Sequence, residues 1–248
     1  RQRQMCIRDS RQLLQWLGGI GIVVLVLAIL PILGVGGMYL YKAETSSPVK
    51  DNKLSPRITE TAKSLWGVYI ILTIACAVLY KIAGMSYFDA IGHSFSTVSI
   101  GGFSTHDASI GFYSSNLIKI ICMVFMFLSA LNFVLHFLFY KNKSLSVYTS
   151  NSEMKTFILI IITLLSLVTI FSIGGRTQSL ENIDVIFHIL SFVTTSGFTV
   201  SNYSNWPTFI ITIVFLSSFI GACAGSAGGG MKVIRLSLIH ISEPTRPS

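Results

Sequence analysis

The strongest constraint on this chain is a series of apolar runs about as long as a bilayer is thick. They lie at Gly18–Tyr41, Leu65–Gly84, Leu117–Tyr140 and Phe157–Ile173, with an incomplete fifth at Thr208–Ala224. A helix needs about 20 mostly apolar residues to cross the hydrocarbon core. Inside that core each backbone N–H and C=O must find its partner within the protein, so a run of this length is read as a helix. Over the whole sequence 52% of residues are hydrophobic and only 11% are charged. The expected fold class is therefore an all-α membrane protein, with the lipid bilayer as its partner along most of its length.

Charge orients the spans. Lys42, Lys50, Lys53, Arg57 and Lys63 crowd one connection, Lys141, Lys143 and Lys155 the next, and Lys232 with Arg235 follow the last apolar run. Basic connections mark the cytoplasmic side. The formal net charge of +8 is thereby accounted for without a nucleic-acid partner. The connections Met85–Asn116 and Gly174–Pro207 then face outward, each about thirty residues long. Cys76, Cys122 and Cys223 stand in apolar sequence, with neither a disulfide framework nor a zinc spacing.

Both outward connections carry the same motif. Asp89 to Thr105 aligns without gaps on Asp184 to Val200, with identities at Asp89/Asp184, Ile91/Ile186, His93/His188, Ser96/Ser191, Val98/Val193, Gly102/Gly197 and Phe103/Phe198. Ordinary residue frequencies would give roughly one match over such a length, so this is a duplicated unit. Phe88–Ser96 and Ile183–Ser191 are apolar enough for a short helix and far too short to cross. A Gly-rich and hydroxyl-rich segment follows each, which reads as a re-entrant pore loop.

Non-helical backbone at membrane depth is tolerated only where it is buried in protein or lines a water-filled path. The carbonyls of Ser99, Ile100, Gly101 and Gly102, and of Thr194, Thr195, Ser196 and Gly197, therefore need a partner, and a dehydrated cation fits. Potassium filters replace an ion's hydration shell with rings of backbone carbonyls, and glycine permits the conformations such rings demand. Each unit is then span, pore loop, span. An even number of crossings returns every copy in the same orientation, so that copies can surround a common axis.

Three further features need a reading. Asp89 and Asp184 open the pore helices and are expected to cap them, with an added negative potential at the mouth. His93 and His188 occupy one repeat-equivalent position. They are read either as neutral hydrogen-bonding groups or, with His136, as ligands of a haem-bearing redox subunit. The segment Gly221, Ala222, Cys223, Ala224, Gly225, Ser226, Ala227, Gly228, Gly229, Gly230 cannot make a sturdy helix, because each glycine costs about 1 kcal/mol against alanine. It is either a close-packing small-residue face or a broken helix lining the pore. Lys232, just beyond, is an inner-mouth anchor or a charge near the gate.

The pieces QWLGGIGIVVL (Gln15–Leu25), FSTVSIGGFSTHDASIG (Phe95–Gly111), SFVTTSGFT (Ser191–Thr199) with NWP (Asn205–Pro207), and GACAGSAGGGMKVIR (Gly221–Arg235) resemble, in this order, the Trk/Ktr/HKT potassium-uptake family. The likeness is strongest to the membrane subunit of the bacterial Trk system, in the cytoplasmic (inner) membrane. It implies four tandem units around a pseudo-fourfold axis, incomplete here, and Gly221–Gly230 as a gating loop beneath the filter. It also implies dimerisation of full-length subunits on a cytoplasmic nucleotide-binding regulatory subunit. Ile100 and Ser196 depart from the family's usual small hydroxyl residue and threonine, which puts side-chain contributions there in doubt.

A rival reading is a secondary transporter with broken helices and inverted repeats, which would need units of opposite orientation. No catalytic constellation is present, so the expectation is no enzyme, no cofactor and no transition metal, with potassium as substrate. The basic connections around Lys42–Lys63 and Lys141–Lys155 are the expected contact surface of the regulatory subunit.

Residues 1–10 and 236–248 are set aside, because Met5–Ser10 and Leu236–Arg246 resemble the two reading directions of a transposase sequencing adapter. The remaining organisation is read as residues 11–63, the closing span of a first repeat and a cytoplasmic connection, residues 64–155, repeat two, and residues 156–235, most of repeat three. The pore loop of the first repeat is expected upstream of Gln15. With two of four filter arcs, the chain is expected not to conduct by itself.

Overall fold

The computed structural model describes residues 10–21, 58–171, 182–202 and 206–233. The first expected span beyond Gly21, the basic connection up to Arg57, and residues 1–9, 172–181, 203–205 and 234–248 lie outside the described residues. Within them the fold is helical. In chain order come a helical entrance (residues 10–16) ending in a π turn Leu17–Gly21, α1 Ile58–Ile82, α2 Tyr87–Val98 and a 3-10 turn Ser109–Phe112. They are followed by α3 Asn116–Ala130, α4 Phe133–Asn142, α5 Ser146–Ser150, α6 Ser152–Phe171, α7 Asn182–Val193 and α8 Thr208–Ser217.

Sequence explains why α1 spans and where it stops. Leu65, Tyr69, Thr73, Cys76 and Tyr80 recur at helical spacing and are buried, while Ile71, Ile74, Val78 and Ile82 form an exposed apolar stripe. A helix apolar all round, with its better-packed face turned inward, suits lipid on its other side. Gly84, at φ +105°, ends it, and the Met85 N–H reaches back to the Tyr80 carbonyl at 3.1 Å. Among the described residues, two helices are individually long and apolar enough to cross, over Ser64–Ile82 and Ser152–Ile170.

The expected third span, Leu117–Tyr140, is instead two helices, α3 and α4, meeting at 94°. The reason is local. Leu131 and Asn132 are extended, and the Asn132 side chain caps α4 by accepting the Val134 N–H at 2.9 Å. An asparagine inside an apolar run is a strong cap once the helix has reason to break.

Short α2 packs between α1 and α3, and short α7 between α6 and α8, with α3 also against α7. Two apolar cores result. The first gathers Tyr69, Tyr80, Met126 and Phe133, together with Phe187 and Phe198 from the other unit. The second gathers Phe157, Val193, Trp206, Ile210, Ala222 and Cys223, together with Ile100. Each core borrows side chains from its neighbour, so the two units are interlocked.

Candidate functional site

The helices α2 and α7 are the same length and stand at the same offset as the sequence repeat. Their continuations share an unusual backbone. Ile100 (φ 54°) and Gly102 (φ 67°) are left-handed, as are Thr195 (φ 63°) and Gly197 (φ 82°), whereas Gly101 and Ser196 between them are not. Alternation of hand turns successive carbonyls to one side and successive N–H groups to the other. The N–H groups fold back onto the preceding helix: Gly101 donates to Ser96 O and Ser196 to Ser191 O, each at 2.8 Å. Among the described residues, no hydrogen bond is accepted by the carbonyls of Ser99–Gly102 or Thr194–Gly197.

Left-handed backbone at a β-branched residue is rare and costs about 1–3 kcal/mol. Two structures hold it in place. The Ile100 side chain is 5% exposed, packed in the second core. The Thr195 hydroxyl accepts the Gly229 N–H at 2.8 Å. The two arcs also meet each other, since a Cβ on Gly102 would overlap the Ser196 carbonyl oxygen. Residues 10–19 approach from the other side. The Gln12 side chain donates to Phe103 O at 3.2 Å, and a Cβ on Gly101 would overlap Gln15. Trp16 stacks on Tyr69 at 5.4 Å and donates to the Thr73 hydroxyl at 3.1 Å.

The glycine-rich segment lies directly against the second arc. Chain leaves α8 at Ser217, closes a loop through the Gly221 N–H to Met231 O bond (2.8 Å), and turns at Gly225 and Gly230, both at φ +71°. A Cβ on Gly228 would stand 3.1 Å from Thr194 O and 3.6 Å from Ile100 Cδ1. The α3–α4 break supplies the other wall. Cys223 N–H donates to Ala130 O (3.0 Å), Ala227 N–H to Ser129 O (3.3 Å), and Phe133 N–H to Gly225 O (3.1 Å). Bending the span frees those carbonyls and that N–H, and the loop satisfies them. Ala224 N–H donates to Glu153 Oε1 at 2.6 Å, and the Lys232 ammonium donates to Gly228 O.

With this geometry in view, comparison with known proteins is decisive. The TrkH family, described as cation transport protein, matches residues 4–242. The chain belongs to that family. Among its relatives, the Trk system potassium uptake protein TrkH of Halomonas elongata is 51% identical over 92% of this chain and 48% of the relative. That of Escherichia coli K12 is 50% identical over the same shares. The crystal structure of the potassium transporter TrkH from Vibrio parahaemolyticus is 41% identical, with a TM-score of 0.80 over 98% of this chain and 52% of that one. This chain thus spans about half the length of the curated relatives it matches. Like the TrkH family as a whole, it is an integral, multi-pass membrane protein of helical fold.

The cap of α2 is Ser86, whose hydroxyl accepts the Asp89 N–H at 3.1 Å. Asp89 sits one turn in, where its carboxylate accepts the Thr105 hydroxyl (2.7 Å) and the Ser86 hydroxyl (2.8 Å), with His106 Nε2 at 3.5 Å. Burial alone would raise the Asp89 carboxyl, but these hydroxyls and His106 hold it below its usual range. Asp184, at the equivalent place, instead accepts the Lys119 ammonium at 2.7 Å, a pair whose side chains are 10% and 13% exposed. A serine three residues ahead of the aspartate was the legible sign of the true cap.

His93 has both ring nitrogens engaged, by Asp89 O and Ser104 Oγ at 2.8 Å each. His136 is likewise held by Tyr148 OH (2.8 Å) and Leu128 O (2.9 Å). These engagements satisfy the rings as hydrogen-bonding groups and leave no nitrogen of either for a haem iron. Sequence reasoning missed Asn132, Lys119 and Glu153. Each is a lone polar residue in apolar or basic surroundings, and its meaning depends on a partner distant in the chain.

Proposed function

We propose that this chain is a pore-forming part of a Trk-type system that takes up potassium across the bacterial cytoplasmic membrane. The carrying observation is the repeated alternating-hand backbone, in which the carbonyls of Ser99–Gly102 and Thr194–Gly197 have no hydrogen-bond donor among the described residues. Such carbonyls replace water around a dehydrated cation, and no side-chain charge is needed. The curated relatives named as potassium uptake proteins support the choice of ion.

In this reading the two arcs belong to a ring of four around a pseudo-fourfold axis. The contact of Gly102 with Ser196 and Gly197 supports like-oriented arcs at one level. An inverted-repeat transporter would set them on opposite sides. Potassium enters from the outer mouth, loses water at the carbonyls and meets the Gly221–Gly230 loop, which lies against Thr194 and Thr195 and acts as the gate. Lys232 anchors that loop through Gly228 O. The protein moves an ion and performs no covalent chemistry, so it is not an enzyme.

Full-length subunits pair as a homodimer and are regulated by a cytoplasmic nucleotide-binding subunit. Lys141, Lys143 and Lys155 are exposed around the α4–α6 connection and suit that contact. The loop of Lys42–Arg57 lies outside the described residues. Rubidium uptake by a potassium-uptake-deficient bacterium expressing a polypeptide that carries this chain tests the function. Uptake that saturates, prefers potassium over sodium and disappears with Gly102→Ala is expected. Uptake indifferent to Gly102 would count against the filter.

A further inference from the structure

We infer that Glu153 is the positioning residue that holds the glycine-rich loop in its observed place, acting from the cytoplasmic connection. The reading of the loop as a gate is the one given above, and this inference deepens it. Glu153 occupies the first turn of α6, whose start is fixed by Asn151 Oδ1 accepting the Met154 N–H at 2.9 Å. Its carboxylate accepts the Ala224 N–H at 2.6 Å. The carboxylate thus reaches a backbone N–H in the middle of the loop, where the Thr195 hydroxyl and the Lys232 ammonium are further side-chain anchors. A hydrogen bond to a charged acceptor is about twice as strong as a neutral one, and losing it leaves a buried N–H unpaired.

The rest of the surroundings fit a latch rather than a packing contact. The loop's remaining bonds to the α3–α4 break are backbone to backbone, through Ala130, Ser129 and Phe133. They depend on geometry and are indifferent to side-chain identity. Glu153 is different, because it moves with α6 and with the connection that precedes it. That connection carries α5 and is tied to α4 by the His136–Tyr148 hydrogen bond. Displacing the connection by a rigid-body shift of α5 would draw Glu153 off Ala224 directly, with no longer chain of contacts required. On this view, the basic cytoplasmic surface and the gate communicate through one carboxylate.

Cys223, 1% exposed and adjacent to Ala224, offers a reporter already in the chain. The protein is reconstituted in vesicles in a background with Cys6, Cys76 and Cys122 changed to serine, and Cys223 modification by a water-soluble methanethiosulfonate is timed. Glu153→Ala is expected to speed modification about tenfold, as for loss of a charge-assisted bond. Glu153→Gln, which keeps an acceptor oxygen, should stay within about threefold of the parent. Equal rates in the parent and Glu153→Ala, with both eluting as folded protein, would overturn the inference. So would equal acceleration by Gln and Ala. Rubidium flux measured with the same substitutions in a full-length polypeptide that carries this chain separates the two readings. If Glu153→Ala frees Cys223 but flux does not rise, Glu153 still holds the loop and the gate reading fails.

Discussion

At the residue scale, the two glycines of the proposed filter are not equivalent, although the sequence repeats them. A Cβ on Gly102 would overlap the neighbouring arc, while Gly197 has open space around its ideal Cβ and only its positive φ to lose. Gly102→Ala should therefore abolish rubidium uptake, and Gly197→Ala should reduce it only severalfold, since strain alone costs about 1–3 kcal/mol. A second residue-scale consequence concerns Asp89. Its lowered carboxyl stabilises the fold fully above the ordinary carboxylate value and loses that contribution as pH falls through the lowered one. Thermal unfolding in detergent from pH 6 to pH 3 should fall more steeply for the parent than for Asp89→Asn. Legibility at this scale was uneven. Both glycines could be read from spacing, because the repeat sets each at the same offset behind its helix, where the backbone is left-handed. The partners of Asp89 and Asp184 could not, because one finds local hydroxyls and the other a lysine sixty-five residues earlier in the chain.

Among the elements, the decisive feature is the break between α3 and α4. The twenty-four residues from Leu117 to Tyr140, mostly apolar, read as one span on hydropathy, and hydropathy is blind to a cap. Asn132 holds the bend, and the glycine-rich loop makes it tolerable by pairing with the groups it exposes. Asn132→Ala should lower the unfolding temperature by an amount matching about 1 kcal/mol, and should also raise Cys223 reactivity, since bend and loop share bonds. A drop in stability with unchanged Cys223 reactivity would mean the loop is held independently of the bend. The pore helices, by contrast, were legible to within a few residues. Their repeat offset, apolar faces and terminal glycines are all local signals, and local signals survive tertiary packing. The glycine-rich loop was legible as a non-helix for the same reason, since glycine content alone forbids a sturdy one.

On the scale of the whole molecule, interlocked cores explain how units of limited apolar burial stay together in lipid, where apolar contact between helices gains nothing over contact with the bilayer. Phe198 sits in the first core and Ile100 in the second, so each arc is clamped by the other's unit. The proposed regulation belongs to this scale as well. Changing Lys141 and Lys143 together to glutamine should weaken co-purification of the nucleotide-binding subunit severalfold, and unchanged recovery would move the contact elsewhere. The central claim is that the carbonyls of Ser99–Gly102 and Thr194–Gly197 hold potassium. Thallium, which mimics potassium and scatters anomalously, tests it most directly in crystals of a polypeptide carrying this chain. The account predicts anomalous peaks between the two arcs, within about 3 Å of those carbonyl oxygens. Peaks confined to other positions, in crystals of a protein that transports thallium, would contradict it.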